Sequence, residues 1–203
     1  MTRSTAADLS PSAYEDGFAR ANLPPPGEWP EFLYELPELQ YPQQINCAGE
    51  LLDGALERGW GARTALHGAR GRWTYAELHA SADRIAHVLR RDLKLATGNR
   101  VLLRGANCPM MAACILGVIK AGCIAVPTMP LLRARELATI IDKAKVDAVL
   151  CAASLVGELE AVVPAQAGTP FPMLTFDAPD APHSLESLMS HHDDPFQTVA
   201  TSA

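Results

Sequence analysis

No stretch of this 203-residue chain is apolar for long enough to cross a bilayer. Residues 110–119 are ten apolar positions in a row, but Lys120 and Pro127 stop any extension toward the ~20 a spanning helix needs. The opening MTRSTAADLS holds no apolar signal core, so the chain is expected in the cytoplasm and away from membranes. Cysteine is sparse: five residues (47, 108, 114, 123 and 151), an odd number without a C-x-x-C pair. That usage points to free core thiols in a reducing compartment rather than a disulfide framework or a zinc site. Glycine is missing where nucleotide chemistry would place it. The turn after residues 100–103 has Gly105 alone, with no G-x-G-x-x-G, and no G-x-x-x-x-G-K-[ST] or G-x-S-x-G occurs. A dinucleotide fold, a P-loop and a hydrolase elbow are thereby set aside.

Basic residues are absent from 146–203, which carry eight acids. Residues 1–60 hold ten acids against three bases, and residues 61–145 hold fourteen bases against five acids. The regional balances of −7, +9 and −8 give the net −6. A basic middle suits a polyphosphate ligand or the solvated faces of helices. It lacks the aromatic-interleaved basic strands of RNA-binding modules, so no nucleic-acid partner is expected. With 48% apolar and 20% charged residues the chain can build a real core.

Proline is nearly absent from the centre: only three of sixteen fall in 43–163, seven lie in 1–42 and six in 164–203. This divides the chain into a proline-rich extension (1–46), a folded α/β unit (47–190) and an acidic tail or linker (191–203). Residues 1–10 read as disordered, and 12–22 as a short helix with Tyr14 and Phe18 on one face. Between Leu23 and Pro42 the aromatic and leucine side chains suggest an extended strap packed on the domain.

The centre reads clearly. Residues 100–130, RVLLRGANCPMMAACILGVIKAGCIAVPTMP, give strand, helix, strand. Asn107 is the expected helix cap, Pro109 the first-turn proline and Gly122 the left-handed stop. The helix is apolar all round and should be buried, and 123–126 should be a parallel strand covered on both faces. Upstream, 49–58 is predicted helical with Leu51, Leu52, Ala55 and Leu56 inward. Residues 64–67 and 72–73 read as two short strands, and Thr74 with Glu77 as a capping box opening a helix to residue 91. Downstream come a helix over 133–143, a strand over 148–151, a helix over 155–163, a strand over 173–176 and a last turn over 185–189. The whole is an α/β fold: a mostly parallel sheet with helices on both faces. His67, His79 and His87 read as isolated. The run His191-His192-Asp193-Asp194 reads as solvated tail, since adjacent side chains rarely converge on one ion, so no metal ligands are expected.

R-W-T-Y-A-E-L-H (72–79), R-V-L-L-R-G-A-N-C-P (100–109), I-K-A-G-C-I-A-V-P-T-M-P (119–130) and V-D-A-V-L-C (146–151) resemble, in order and spacing, the start of AMP-forming acyl-CoA synthetases. The resemblance covers about 47–203. The proline-rich segment N-L-P-P-P-G-E-W-P, with Glu35 to Pro42, is further similar to aryl-CoA ligases of the 2-aminobenzoate and benzoate type. It implies an enzyme in which a carboxylate attacks the ATP α-phosphate to give acyl-AMP, and the CoA thiol then displaces AMP. ATP, Mg²⁺ and CoA are the implied cofactors.

In that family the adenylation machinery is a Ser/Thr/Gly-rich phosphate loop with its lysine, a Y-G-x-T-E segment, a ribose-binding aspartate and a late catalytic lysine. None of these is in the sequence, and residues 198–203 are expected to stop just before the phosphate loop. The resemblance therefore implies an N-terminal fragment, inert alone, without catalytic residues of its own. Its implied partners are the rest of the ligase and a small carboxylate, with self-association through the uncovered surface. In some relatives an arginine just after the V-P-x-x-P segment holds the CoA phosphates. Leu131 stands in that place here, and Arg133, two residues on, is the one CoA-binding candidate. The alternative is a stand-alone nucleotide- or CoA-binding module.

Overall fold

Arg100–Arg104 (β3) is buried at all five positions, and the rest of the fold is laid down around it. Val101 and Leu103 face one apolar cluster and Leu102 the other, which is why the strand is a continuous apolar run rather than an alternating one. The computed structural model describes residues 11–30, 35–69, 71–163, 171–179, 181 and 184–201. In chain order the elements are α1 (Phe18–Ala21), α2 (Gly54–Glu57), β1 (Thr64–Gly68), β2 (Gly71–Thr74), α3 (Tyr75–His87) and β3. They continue with α4 (Pro109–Lys120), β4 (Ile124–Thr128), α5 (Ala134–Ala144), β5 (Ala148–Ala152), α6 (Gly157–Glu160), β6 (Met173–Phe176) and α7 (Leu185–Met189). Wider π-type turns precede α2 at Gly49–Asp53 and prolong α3 at Val88–Asp92.

The main sheet is wholly parallel, in the order β4-β3-β5-β6, and β1 and β2 form a separate antiparallel hairpin. Helices α3, α4 and α7 cover the face of Val101, Leu103, Leu150 and Phe176, and α5 and α6 cover the face of Leu102, Val149 and Cys151. All four predicted parallel strands form. Helix α4 has no exposed residue, as its all-round apolar sequence requires. It lies so close to α3 that a Cβ on Gly117 would come within 2.7 Å of the Ile85 side chain, so glycine there is a packing requirement. Its cap is Cys108, whose sulfur accepts from the Met111 amide at 3.4 Å, and not Asn107. The capping box of α3 forms as read: Glu77 accepts from the Thr74 amide at 2.7 Å and Thr74 from the Glu77 amide at 3.2 Å. Cys114, Cys123 and Cys151 are buried free thiols, and burial pushes Cys123 up to about 12, so they remain protonated packing groups.

Other expectations are corrected in three places: the N-terminal segments, the helix at 49–58 and the polar residues. Leu23, Leu36 and Tyr41 are exposed, so among the described residues 23–42 is not a strap laid on the domain. Its prolines favour short 3₁₀ turns that close on themselves, and the Trp29 indole donates to its neighbour Pro24 carbonyl at 2.6 Å. Phe32, Leu33, Tyr34 and the segment 1–10 lie outside the described residues. Residues 14–18 do the anchoring instead, and the helix there is only α1. Asp16 pairs with the buried Arg100, whose guanidinium also lies over the Phe18 ring at 4.8 Å. The residue Leu51, expected inward, is exposed, because the π-type turn rotates it outward from Leu52 and Ala55.

The third correction concerns polar residues. Lys120 ends the apolar helix yet is fully buried, with Nζ 2.6 Å from Asp53 and 2.5 Å from Asp83. His79, far from isolated, lies 2.7 Å from Asp53 and 3.1 Å from Lys120 Nζ. Nor are residues 191–201 a solvated tail. His192 is buried, the Phe196 amide donates to Asp83 at 3.3 Å and the Val199 amide to the Lys120 carbonyl at 3.1 Å. Asn46 closes the ring by donating to the carbonyls of Ile119 (2.8 Å) and Val199 (2.9 Å). No helix among the described residues is long and apolar enough to cross a membrane.

Removing one partner from a buried ion pair strands the other charge, at a cost of about 3–5 kcal/mol. We predict that Lys120→Met lowers unfolding stability by that order in urea titrations; a loss below about 1 kcal/mol would show the network to be incidental. Burial pushes the Asp16 carboxyl up, but the Phe18 amide and the Arg100 guanidinium outweigh it and hold it below the usual range. Asp53 is likewise held low: burial raises it, and Lys120, Thr198 and His79 together lower it further. Their contribution is complete above the unfolded-chain value of about 3.9 and is lost as pH falls through the depressed folded values. Acid unfolding monitored by circular dichroism is therefore expected to begin below about pH 4, and at higher pH in Asp16→Asn.

Candidate functional site

In an open parallel sheet, ligands bind beyond the carboxyl ends of the strands where the winding reverses. Here β4 lies on one side of β3 while β5 and β6 lie on the other, so the reversal is at the carboxyl ends of β3 and β5. Arg104 is the last residue of β3 and is only 1% exposed. Its guanidinium donates to the carbonyls of Met129 (2.9 Å), Pro130 (2.9 Å) and Leu132 (2.8 Å), and Nε to that of Leu155 (3.3 Å). One side chain thereby ties the loop leaving β4 to the loop leaving β5. A cleft of about 360 Å³ opens above it, lined by Arg104, Leu131, Arg133, Ser154, Gly157 and Glu158.

Arg133 stands at the first turn of α5. Its backbone amide donates to Glu136 at 3.0 Å, and its side chain, 78% exposed, reaches Glu158 at 2.8 Å. The second Glu158 oxygen accepts from the Ala134 amide at 2.8 Å. A carboxylate thus sits where a helix N-terminus and a guanidinium converge, the arrangement that also takes a phosphate. The Arg133 hydrogen bond, then the Ala134 amide and the charges of Arg133 and Arg104, hold the Glu158 carboxyl below its ordinary value. Leu131 (81% exposed) and Met129 (63%) project beside the cleft as apolar surface. What the cleft offers chemically is an oxyanion grip beside an apolar patch.

A larger cleft, about 650 Å³, lies between the hairpin and the start of α4, lined in part by Trp73, Asn107, Cys108, Asp177 and Glu186. Its titratable lining is acidic and no described lining residue is a cation, so it is the poorer place for a phosphate-bearing ligand. Arg133, the candidate from sequence, lines the smaller cleft together with Arg104 and Glu158, which sequence reasoning did not single out. An arginine ending an otherwise apolar strand was the available sign for Arg104; Glu158 lies 25 positions from its partner with no local sign.

The family model described as AMP-binding enzyme matches residues 55–200. A 3-hydroxybenzoate–CoA/4-hydroxybenzoate–CoA ligase of Thauera aromatica is 33% identical over 105 residues, which is 52% of this chain and 20% of that protein. Among solved structures, a benzoate CoA ligase from Burkholderia xenovorans LB400 aligns with a TM-score of 0.67 and 25% identity over 78% of this chain and 31% of its own. The anthranilate CoA ligase AuaEII in complex with anthranoyl-AMP gives 0.68 at 17% identity, a likeness of fold, over 78% and 30%. The chain thus spans about a fifth of the curated relative's length and about 30% of these two structures.

If Arg104 holds the two loops, Arg104→Met leaves its carbonyl partners unpaired and costs about 3 kcal/mol of stability. Limited proteolysis should then cut within 129–132, while Arg133→Ala, at an exposed ion pair, should leave the unfolding midpoint unchanged. Equal effects of the two substitutions would contradict this division of labour.

Proposed function

The chain belongs to the family of AMP-binding enzymes, and on that premise we propose that it is the N-terminal part of an AMP-forming aryl-CoA ligase. The proposed reaction joins a carboxylate to AMP with release of pyrophosphate, then passes the acyl group to the CoA thiol. The observation that carries the aryl assignment is the match to the Thauera aromatica ligase, named for 3- and 4-hydroxybenzoate. The likeness to the benzoate ligase of Burkholderia xenovorans supports it. Benzoate, 2-aminobenzoate or a close relative is the proposed acid, and the cytoplasm the proposed location.

Within that enzyme these 203 residues supply one sheet layer and the oxyanion grip of α5. Arg133 and the Ala134 amide are the proposed contacts for the CoA nucleotide phosphates, with Arg104 holding the loop that presents them. ATP and Mg²⁺ supply the activated phosphorus and its charge neutralisation. The sequence carries no amide-lined phosphate loop or attendant lysine for them, so the 203 residues alone lack the means to stabilise charge developing at phosphorus. Strands β4 and β6 are the edges of the main sheet, and the remainder of the ligase is the proposed cover for the surfaces near them, with self-association the outcome when it is absent.

The 203-residue protein is expected to show no carboxylate-dependent exchange of pyrophosphate into ATP with benzoate, 2-aminobenzoate or a hydroxybenzoate. Exchange above background would overturn the claim that it is inert. Adenosine 3′,5′-bisphosphate, which carries the CoA phosphates without the thiol arm, should bind weakly and shift the amide resonances of Arg133 and Ala134. Loss of those shifts in Arg133→Ala supports the assignment, and shifts confined to the larger acidic cleft would refute it.

A further inference from the structure

Helix α3 and the segment after α7 bring together two histidines and an aspartate that stand more than a hundred positions apart. One ring nitrogen of His87, one of His192 and one carboxylate oxygen of Asp194 all lie within 4.8 Å of one another. We propose that these three residues bind a divalent first-row transition-metal ion, zinc foremost, which clasps residues 191–201 onto α3.

The imidazoles are nearly parallel, with centroids 5.3 Å apart and planes 22° apart, and the His87 ring is closed on another side by the edge of Phe196. His192 Nε2 lies 2.9 Å from the Asp92 carboxylate. A carboxylate behind an imidazole fixes its tautomer and raises its basicity, the arrangement found behind metal-bound histidines. His87 Nε2 is 3.0 Å from the Asp194 carbonyl and 3.5 Å from its carboxylate, so it is the ring nitrogen that faces Asp194, and Nδ1 is buried with no hydrogen-bond partner among the described residues. Two imidazoles and one carboxylate, with a fourth position left for water, suit zinc, cobalt or nickel and disfavour calcium and magnesium.

Asp194 is the open side of the site, with its side chain 52% exposed and steadied by Arg91 at 2.9 Å. An ion can enter there, and small shifts of the three side chains would bring their ligand atoms, now within 4.8 Å of one another, toward the ~3.3–3.5 Å spacing that tetrahedral zinc requires. Downstream, Phe196 and Thr198 hydrogen-bond to Asp83 and Asp53, the carboxylates around Lys120. An ion at the clasp therefore fixes one end of a segment whose other end closes the buried charge network. This inference does not depend on the proposed ligase activity.

The test is titration of tag-free, chelator-stripped protein with Zn²⁺ against a chromophoric competitor, with Co²⁺ absorption as a second readout on the unaltered chain. The expectation is one ion per chain with a Kd of about 10 μM or tighter and a raised melting temperature. His192→Gln and Asp194→Asn should each weaken binding about tenfold or more, while His191→Gln, at the exposed neighbour, leaves it unchanged. Binding weaker than about 100 μM overturns the proposal. So does a cobalt spectrum like that of the free hexaaqua ion, or a His191→Gln loss equal to that of His192→Gln.

Discussion

Arg104 carries a positive charge into the interior at the carboxyl end of the central strand, where it forms no ion pair among the described residues. Taking such a charge out of water costs several kcal/mol, and here only carbonyl dipoles offset it. Those carbonyls belong to Met129, Pro130, Leu132 and Leu155, on the two loops that bound the cleft. The need to solvate one guanidinium therefore dictates where both loops run. It also places Arg133 and the first turn of α5 at the mouth. The field that remains acts on Glu158, which the neighbouring Arg133 and Ala134 amide already hold ionised.

Two further buried cations repeat this logic elsewhere. Arg100, at the other end of β3, gathers Asp16, Asp147 and the carbonyls of Ala144 and Lys145, and so binds the N-terminal segment to the sheet. Lys120 gathers Asp53 from the π-type turn before α2 and Asp83 from α3, and Thr198 of the C-terminal segment reaches it through Asp53. Each cation joins parts of the chain that hydrophobic packing alone would leave to slide. The apolar clusters set the layers, and the buried charges set which loops and termini close on them.

The sheet and helices were legible because their signals are local. The continuous apolar runs of the buried strands, the Thr74–Glu77 box and the Pro109 and Gly122 punctuation all act within a few residues. Arg133 came forward as a candidate only through the family resemblance. What sequence reasoning missed is non-local: Lys120 meets Asp53 across 67 positions, and His192 meets Asp92 across 100. Polar residues in an acidic, proline-containing stretch look solvated until the partner surface is known, hence the misreading of 191–201. The strap failed for the opposite reason. Large side chains counted along a proline-rich segment say nothing of whether their partners are near or far, and Trp29 satisfies itself five residues away.

On the proposed reading the chain is one sheet layer of a larger adenylating ligase, with the cleft that Arg104 shapes at its functional edge. The most direct measurement is transplantation: residues 55–200 replace the corresponding segment of the Burkholderia xenovorans benzoate CoA ligase, and thioester formation from benzoate, ATP and CoA is followed. The account predicts a soluble chimera that forms benzoyl-CoA. A chimera that folds cooperatively yet forms none, with benzoate or any other aryl acid, would contradict it.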